Sequence, residues 1–252
     1  MGSLRGKAAL VTGAGKRVGR EIALALADAG VDCLIHYNLS IAHATEVLEQ
    51  CRARGVRAEG ATADLIDTGA LARLAEDARK FGVSIFVHNA SPFDRVPFLE
   101  TDLVTHANTL ARDIAVHVTA PYLLARILGE RMVTDGWGRI VLIGDWSTDA
   151  AVYRNYAPYI VSKSAVPTLA KVLALELGSL SPGVTVNAVL PGPIIPPENH
   201  DLADTEMVKR QTVLGAWVGA EEVARAVLYL AGTDRLTGVA LRVDAGRSIK
   251  AL

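Results

Sequence analysis

Tyr159-Ile160-Val161-Ser162-Lys163 sets a phenol and an ammonium four residues apart, at the head of an apolar segment running to about Leu180. On a helix, positions i and i+4 share one face, so the two groups would meet. A free phenol has a pKa of about 10. A neighbouring ammonium favours the phenolate and lowers that value, which makes the pair a candidate proton donor and acceptor. The same spacing also describes a packed tyrosine beside a solvated lysine, so the weight of the pair depends on the rest of the chain.

A second constellation lies near the N-terminus. The apolar run Lys7-Ala8-Ala9-Leu10-Val11 leads directly into Thr12-Gly13-Ala14-Gly15-Lys16-Arg17-Val18-Gly19, and an alanine-rich helical pattern from Glu21 to Ala29 follows, with Gly30 to stop it. Strand, glycine turn and helix form the setting in which backbone amides and a helix N-terminus receive a pyrophosphate. Plain βα turns can have the same composition, and three residues rather than two separate Gly15 from Gly19. The next strand, Val31 to Tyr37, ends in His36-Tyr37-Asn38-Leu39-Ser40 without the acid that usually holds a ribose 2′-hydroxyl. Arg17, with Asn38 and Ser40, is instead suited to a 2′-phosphate, which favours NADPH; the alternative is an ordinary solvated arginine.

Around these two stretches, apolar runs alternate with helical patterns. Strands are expected at Val56 to Ala63, closing on Asp64-Leu65, and at Val83 to His88, closing on Asn89-Ala90-Ser91-Pro92. Further strands fall at Arg139 to Ile143, Val184 to Leu190 and Val239 to Val243, and helices at Ile41 to Arg54, Ala70 to Lys80, Leu103 to Leu128 (one helix or two) and Ala220 to Leu230. Such alternation predicts an α/β fold, a Rossmann-type doubly wound parallel sheet, in a single domain covering residues 1–252. The piece Pro191 to Gly219, rich in proline and charge, reads as irregular. Within it, about 192–214 is either a substrate lid or a variable surface loop.

With 26 Lys and Arg against 27 Asp and Glu, the charge is balanced, which argues against a nucleic-acid partner. Cys33 and Cys51 form no disulfide pattern, and neither a signal pattern nor a bilayer-spanning run is visible, so a cytoplasmic protein with no membrane association is expected. His43, His88, His106 and His200 lack metal-ligand spacing, so no metal is expected.

Laid out in this order, Thr12-Gly13-Ala14 through Gly19, Asp64, Asn89-Ala90, Tyr159 with Lys163, Pro191-Gly192, and Gly238 with Val243-Asp244 resemble the short-chain dehydrogenase/reductase family over nearly the whole chain. Ala14-Gly15-Lys16-Arg17, His36-Tyr37 with Ser40, and Asn89-Ala90-Ser91 are most similar to its pteridine-reductase group. The resemblance implies NADPH as cofactor, held by Gly13, Lys16, Arg17, Val18, Tyr37, Asn38, Ser40, Asp64, Leu65, Asn89, Ala90, Ser91, Tyr159, Lys163, Pro191, Gly192 and Ile194. It also implies assembly as a homo-oligomer, a tetramer or dimer.

Several positions depart from the family pattern. Strand register sets Asp145 where most members carry a catalytic Ser, as in the pteridine-reductase group, and Ser147 is the alternative hydroxyl. His117 replaces a helix Asn that holds a relay water; it can hold water, shuttle a proton or simply pack. Leu39 stands where an Arg is frequent, and Pro167 follows Lys163 by one turn and predicts a kink. Phe93, Trp146 and Trp217 are candidates for substrate-pocket walls and equally for core or interface. The leading expectation is an NADPH-dependent reductase acting on C=O or C=N, with a pterin as one possible substrate. Tyr159 would be its acid, Lys163 would lower the Tyr159 pKa, and Asp145 would orient the substrate. Two alternatives stand beside it: a carbonyl or 3-ketoacyl reductase using Ser147, and a non-catalytic dinucleotide-binding sensor.

Overall fold

The computed structural model describes residues 2–149, 153–194 and 202–250. Seven parallel strands form one sheet in the order β3-β2-β1-β4-β5-β6-β7. They are β1 (Ala8–Val11), β2 (Asp32–Tyr37), β3 (Ala58–Thr62), β4 (Ile85–His88), β5 (Gly138–Ile143), β6 (Val184–Pro191) and β7 (Ala240–Val243). Every residue of β1, β4, β5 and β6 is buried, as a parallel sheet covered on both faces requires.

The helices are α1 (Arg17–Asp28), α2 (Ile41–Ala53), α3 (Thr68–Phe81), α4 (Leu103–Ile114), α5 (Ala120–Thr134), α6 (Ala157–Leu180), α7 (Leu202–Arg210) and α8 (Ala220–Ala231). One apolar core, with Leu71, Leu74, Leu124, Leu128 and Leu173, fills the space between the sheet and α3, α5 and α6. A second, with Ile22, Leu26, Val47, Val223 and Val227, lies under α1, α2 and α8. Local chemistry fixes the ends: the Asp67 carboxylate accepts from the Gly69 and Ala70 amides at the start of α3, and Gly82, at φ 82°, ends it.

The strand order reverses between β1 and β4, where one crossover leads toward β2 and β3 and the other toward β5 to β7. In such sheets the crevice outside the carboxyl ends of the strands at that point receives the ligand. All seven expected strands are present in one α/β domain, and the long helical stretch resolves into α4 and α5 joined by a π-turn, Ala115–Thr119. The reading of Pro191 to Gly219 as irregular is corrected: Leu202–Arg210 is helical, its Leu, Ala, Glu, Met, Lys and Arg being good helix formers. α6 continues as one helix through Pro167. Among the described residues no helix is long and apolar enough to cross a membrane.

Candidate active site

The turn between β1 and α1 is held open by two glycines. Gly13 has φ 63°, and a Cβ there would lie 2.9 Å from the Ala90 Cα. A Cβ on Gly19 would run into the Gly13 carbonyl oxygen and the Asn89 amide. Thr12 Oγ1 accepts from the amides of Asn89 (2.9 Å) and Ala90 (3.1 Å), leaving its own proton for His88 Nδ1 at 3.1 Å. The Asn89 side chain donates to the carbonyls of Thr12 and Gly13, so the turn is sewn to the end of β4.

From the other side, the Gly13 amide donates to His36 Nδ1 at 3.2 Å, and His36 Nε2 donates to Ala63 O at 3.1 Å. Burial pushes the pKa of His36 down to about 4 and that of His88 to about 3. Both imidazoles are therefore neutral, hydrogen-bonded struts at ordinary pH. These two struts were not anticipated as site residues; the signal was a histidine inside or at the end of an otherwise apolar strand.

The result is a cleft of about 430 Å3. Gly13, Lys16, Arg17, Val18, Tyr37, Asn38, Ser40, Asp64, Leu65, Asn89, Ala90 and Ser91 all line it, together with His36, Pro92 and Val116. Lys16 and Arg17 are exposed at its rim, and no acid stands among the lining residues from β2. Arg17 begins α1 with φ 53°, a conformation that ordinarily favours glycine. A Cβ-free cradle, a helix N-terminus and two rim cations fit a phosphorylated dinucleotide. Pro191, the last residue of β6, and Gly192 and Ile194 beyond it lie outside this lining: the Gly192 amide donates to Val243 O at 2.9 Å and Ile194 O accepts from Gly219.

At the carboxyl end of β5, Asp145 meets the first turn of α6. The Tyr159 hydroxyl donates to Asp145 Oδ2 at 2.6 Å. Asp145 Oδ1 accepts from the Ser147 amide at 2.8 Å and from the Ser147 hydroxyl at 2.5 Å. Ser147 is fully buried, with its hydroxyl committed to Asp145. Lys163, also buried, donates to Ile143 O at 2.8 Å, and its Nζ lies 5.9 Å from the centre of the Tyr159 ring.

The expectation that Lys163 lowers the Tyr159 pKa is overturned in this state. Burial raises it well above the ordinary value, and the negative charge of Asp145 raises it further. Lys163 itself is pushed down to about 8 by burial, against the pull of Asp145 and Asp113. Tyr159 is thus a neutral acid already hydrogen-bonded to a base.

His117 sits in the π-turn between α4 and α5, the kind of irregularity that recurs at functional sites. Its Nδ1 is 2.8 Å from Ser162 Oγ and its Nε2 2.8 Å from Ser91 Oγ. The Ser162 hydroxyl lies 2.9 Å from the carbonyls of both Pro158 and Tyr159 and can give its proton to either. With that proton spent, Nδ1–H donates to Ser162 and Nε2 accepts from Ser91. Burial, then the Lys163 charge, holds His117 far below its usual pKa and hence neutral. The chain from Ser91 ends on the backbone of α6 rather than on the Tyr159 phenol.

Phe93, just over half exposed, stacks on Tyr156 with ring centres 4.5 Å apart and meets the Tyr159 ring edge-on at 4.7 Å. Its loop is pinned by the Asp94–Arg112 ion pair (2.7 Å) and by the Val96 amide donating to Asn155 O (2.7 Å). Trp146 is buried, donates through Nε1 to the Tyr153 hydroxyl at 2.8 Å and carries the Arg247 guanidinium on its face at 4.6 Å. Trp217, half-buried, follows α7 and donates to Thr205 O at 3.4 Å. Tyr153, Tyr156 and Asn155 were missed in the sequence, although three tyrosines at intervals of three were there to be read. Of the expected lid, residues 195–201 lie outside the described residues and 202–210 are α7.

Known proteins resemble the chain over nearly its whole length. The model of the family described as enoyl-(acyl carrier protein) reductase matches residues 13–248. L-rhamnose 1-dehydrogenase (NADP(+)) of Thermoplasma acidophilum is 33% identical, with 97% of each chain covered. NADPH-dependent aldehyde reductase-like protein of Arabidopsis thaliana is 30% identical over 91% of this chain and 88% of that one. Among solved structures, FolM alternative dihydrofolate reductase 1 from Brucella canis, complexed with NADP, superposes with a TM-score of 0.87 at 26% identity, covering 99% of this chain and 97% of the other. The chain belongs to the short-chain dehydrogenase/reductase family and is an NADP-dependent oxidoreductase.

Proposed function

We propose that the protein reduces a C=O or C=N group in a planar, ring-containing substrate, with a pterin as the first candidate. The observation that carries this reading is the 2.6 Å hydrogen bond from Tyr159 to Asp145 beside a buried Lys163. A carboxyl group at this position can accept a proton from, or return one to, a ring nitrogen, which a serine hydroxyl does less readily. The name of the Brucella relative, a dihydrofolate reductase, supports the same substrate class, while the rhamnose dehydrogenase and aldehyde reductase names keep simple carbonyls within it.

NADPH, when bound, supplies the hydride. The remaining work falls to this chain. Tyr159 gives its proton to the reduced oxygen or nitrogen, and Lys163 attends the phenolate that forms. Asp145, oriented by Ser147, holds the Tyr159 proton in place and positions the substrate. Phe93 and Tyr156 form one wall, on which a flat ring can stack. His117 positions the first turn of α6 against Ser91. The lid reading of 192–214 belongs to this proposal, and apolar side chains left exposed on α4 and α6, among them Leu103, Val161, Val172 and Leu175, support assembly as a cytoplasmic homotetramer.

The test is NADPH oxidation with a quinonoid dihydropterin and a panel of aromatic aldehydes, beside NADH and a Tyr159→Phe control. The expected result is turnover with NADPH that falls by about a hundredfold or more in the variant. NADPH binding without oxidation on any of these substrates would overturn the reading.

A further inference from the structure

Arg247 is a buried cation for which the reaction above has no use. It is only 7% exposed and follows β7 in a tight turn. Asp244 organises that turn by accepting from the Gly246 amide at 3.0 Å and the Ser248 amide at 2.8 Å. The Ala245 carbonyl accepts from Leu214 at 3.1 Å, which anchors the turn to the segment after α7. Backbone hydrogen bonds therefore fix the position of Arg247, and among the described residues no opposite charge does.

A guanidinium has five N–H donors. Among the described residues, Arg247 makes one hydrogen bond, from Nη2 to Gln211 Oε1 at 3.3 Å, and pairs with no carboxylate; its flat face rests on Trp146. Arg139 shows how the same chain satisfies a buried guanidinium. It donates to Ala231 O (2.9 Å), Gly138 O (2.8 Å) and Gly183 O (2.8 Å), and pairs with Asp234. A second donor meets the same indole at its N–H edge. The Tyr153 oxygen accepts from Trp146 Nε1, and among the described residues no acceptor takes the Tyr153 proton. Burial, then the charge of Asp145, raises the Tyr153 pKa, so this group remains a donor, and the Arg247 charge acts on it directly. The Tyr153 ring meets Phe93 edge-on at 6.2 Å, and Phe93 touches Tyr159, so Tyr153 stands one aromatic ring away from the reacting centre, with Arg247 beyond it on Trp146.

We propose that Arg247 and Tyr153 form an anion subsite, and that the substrate carries a carboxylate remote from the group that is reduced. The inference rests on the reductase reading above for where the substrate sits. Asp145 repels an anion at the reducible end, and Arg247 attracts one at the other, so the two together orient the molecule.

The test compares 4-formylbenzoate with its neutral methyl ester, in wild type and in Arg247→Met, Arg247→Lys and Tyr153→Phe. Wild type is expected to favour the acid in kcat/KM by about tenfold or more, mostly through KM. The acid-over-ester ratio should collapse in R247M, fall in Y153F and be partly kept in R247K, which retains the charge. Equal use of acid and ester by wild type, or an equal loss of both in R247M, overturns the proposal. Calorimetric titration of benzoate into the NADP-loaded protein reads the subsite without turnover. Binding that weakens in R247M and in high salt supports it even if neither aldehyde is reduced, an outcome that would count against the reductase reading alone. No benzoate binding overturns the subsite.

Discussion

The Tyr159 hydroxyl points at a carboxylate, not at the lysine four residues along: it donates to Asp145 Oδ2 at 2.6 Å while Lys163 is bonded to Ile143 O. Burial stabilises the protonated phenol, and the charge of Asp145 acts in the same direction. Replacing Asp145 with Asn removes the charge and leaves the shape. The Tyr159 pKa then falls toward its ordinary value, so the basic limb of the kcat/KM profile, where the acid is lost, moves to lower pH. Turnover should fall by about a hundredfold or more. Ser147→Ala removes only one of three donors to Asp145 and should cost less. The ordering D145N worse than S147A, with the limb displaced in D145N alone, is what steady-state profiles would check.

Arg17 is the next test, because its backbone and its side chain have opposite effects. At φ 53° a non-glycine residue costs on the order of 1 kcal/mol, so Arg17→Gly should raise the melting temperature of the cofactor-free protein. The same change removes a rim cation from the cleft, so the Kd for NADPH should rise by about tenfold while that for NADH stays put. Fluorescence titration with both cofactors decides it; an equal change for the two would remove Arg17 from recognition of the 2′-phosphate.

The sheet and the cofactor cleft were legible because their signals are local. A buried parallel strand is a continuous apolar run, and Gly13 and Gly19 are needed for close approaches between neighbouring segments. What remained hidden was long-range. Whether Tyr159 would face Lys163 or Asp145 depends on how the end of β5 meets α6, which no spacing encodes. The π-turn that carries His117 reads in the sequence as ordinary helix, and α7 was obscured by the prolines before it. Arg247 gave no signal at all, since only the folded chain brings the turn after β7 against Trp146.

The strand histidines predict an acid-sensitive fold. His36 is held near 4 and His88 near 3 in the folded chain, against 6.5 for a free imidazole. Both values are depressed, so the unfolded chain binds more protons as the pH drops below 6.5. The stability they confer is complete above that value and is lost as the pH falls through the window toward 4. At about 1.4 kcal/mol for each pH unit separating the two states, His36 alone contributes on the order of 3 kcal/mol. Urea unfolding from pH 7 to 4 should show a steep loss of stability. His36→Asn should be less stable at neutral pH but have a shallower slope; an unchanged slope would sink the assignment.

His117 separates positioning from proton transfer. It links Ser91 at the cofactor cleft to Ser162 in the second turn of α6, and that chain ends on the Pro158 and Tyr159 carbonyls of the first turn. Its imidazole is neutral, so it brings no titration of its own to the reaction. His117→Ala unties α6 from the cleft and should lower kcat by about tenfold while weakening NADPH binding, since misplacing a catalytic group carries such a cost. The basic limb of the pH profile should keep its position, because Tyr159 still defines it. A shuttle would behave otherwise. Were the proton to pass through His117, removing it would displace or abolish a limb and change the solvent isotope effect, and His117→Gln, which keeps both a donor and an acceptor, would fail as badly as alanine. Recovery of turnover in H117Q, with the basic limb unmoved, is the outcome that fits a tie between cofactor cleft and catalytic helix.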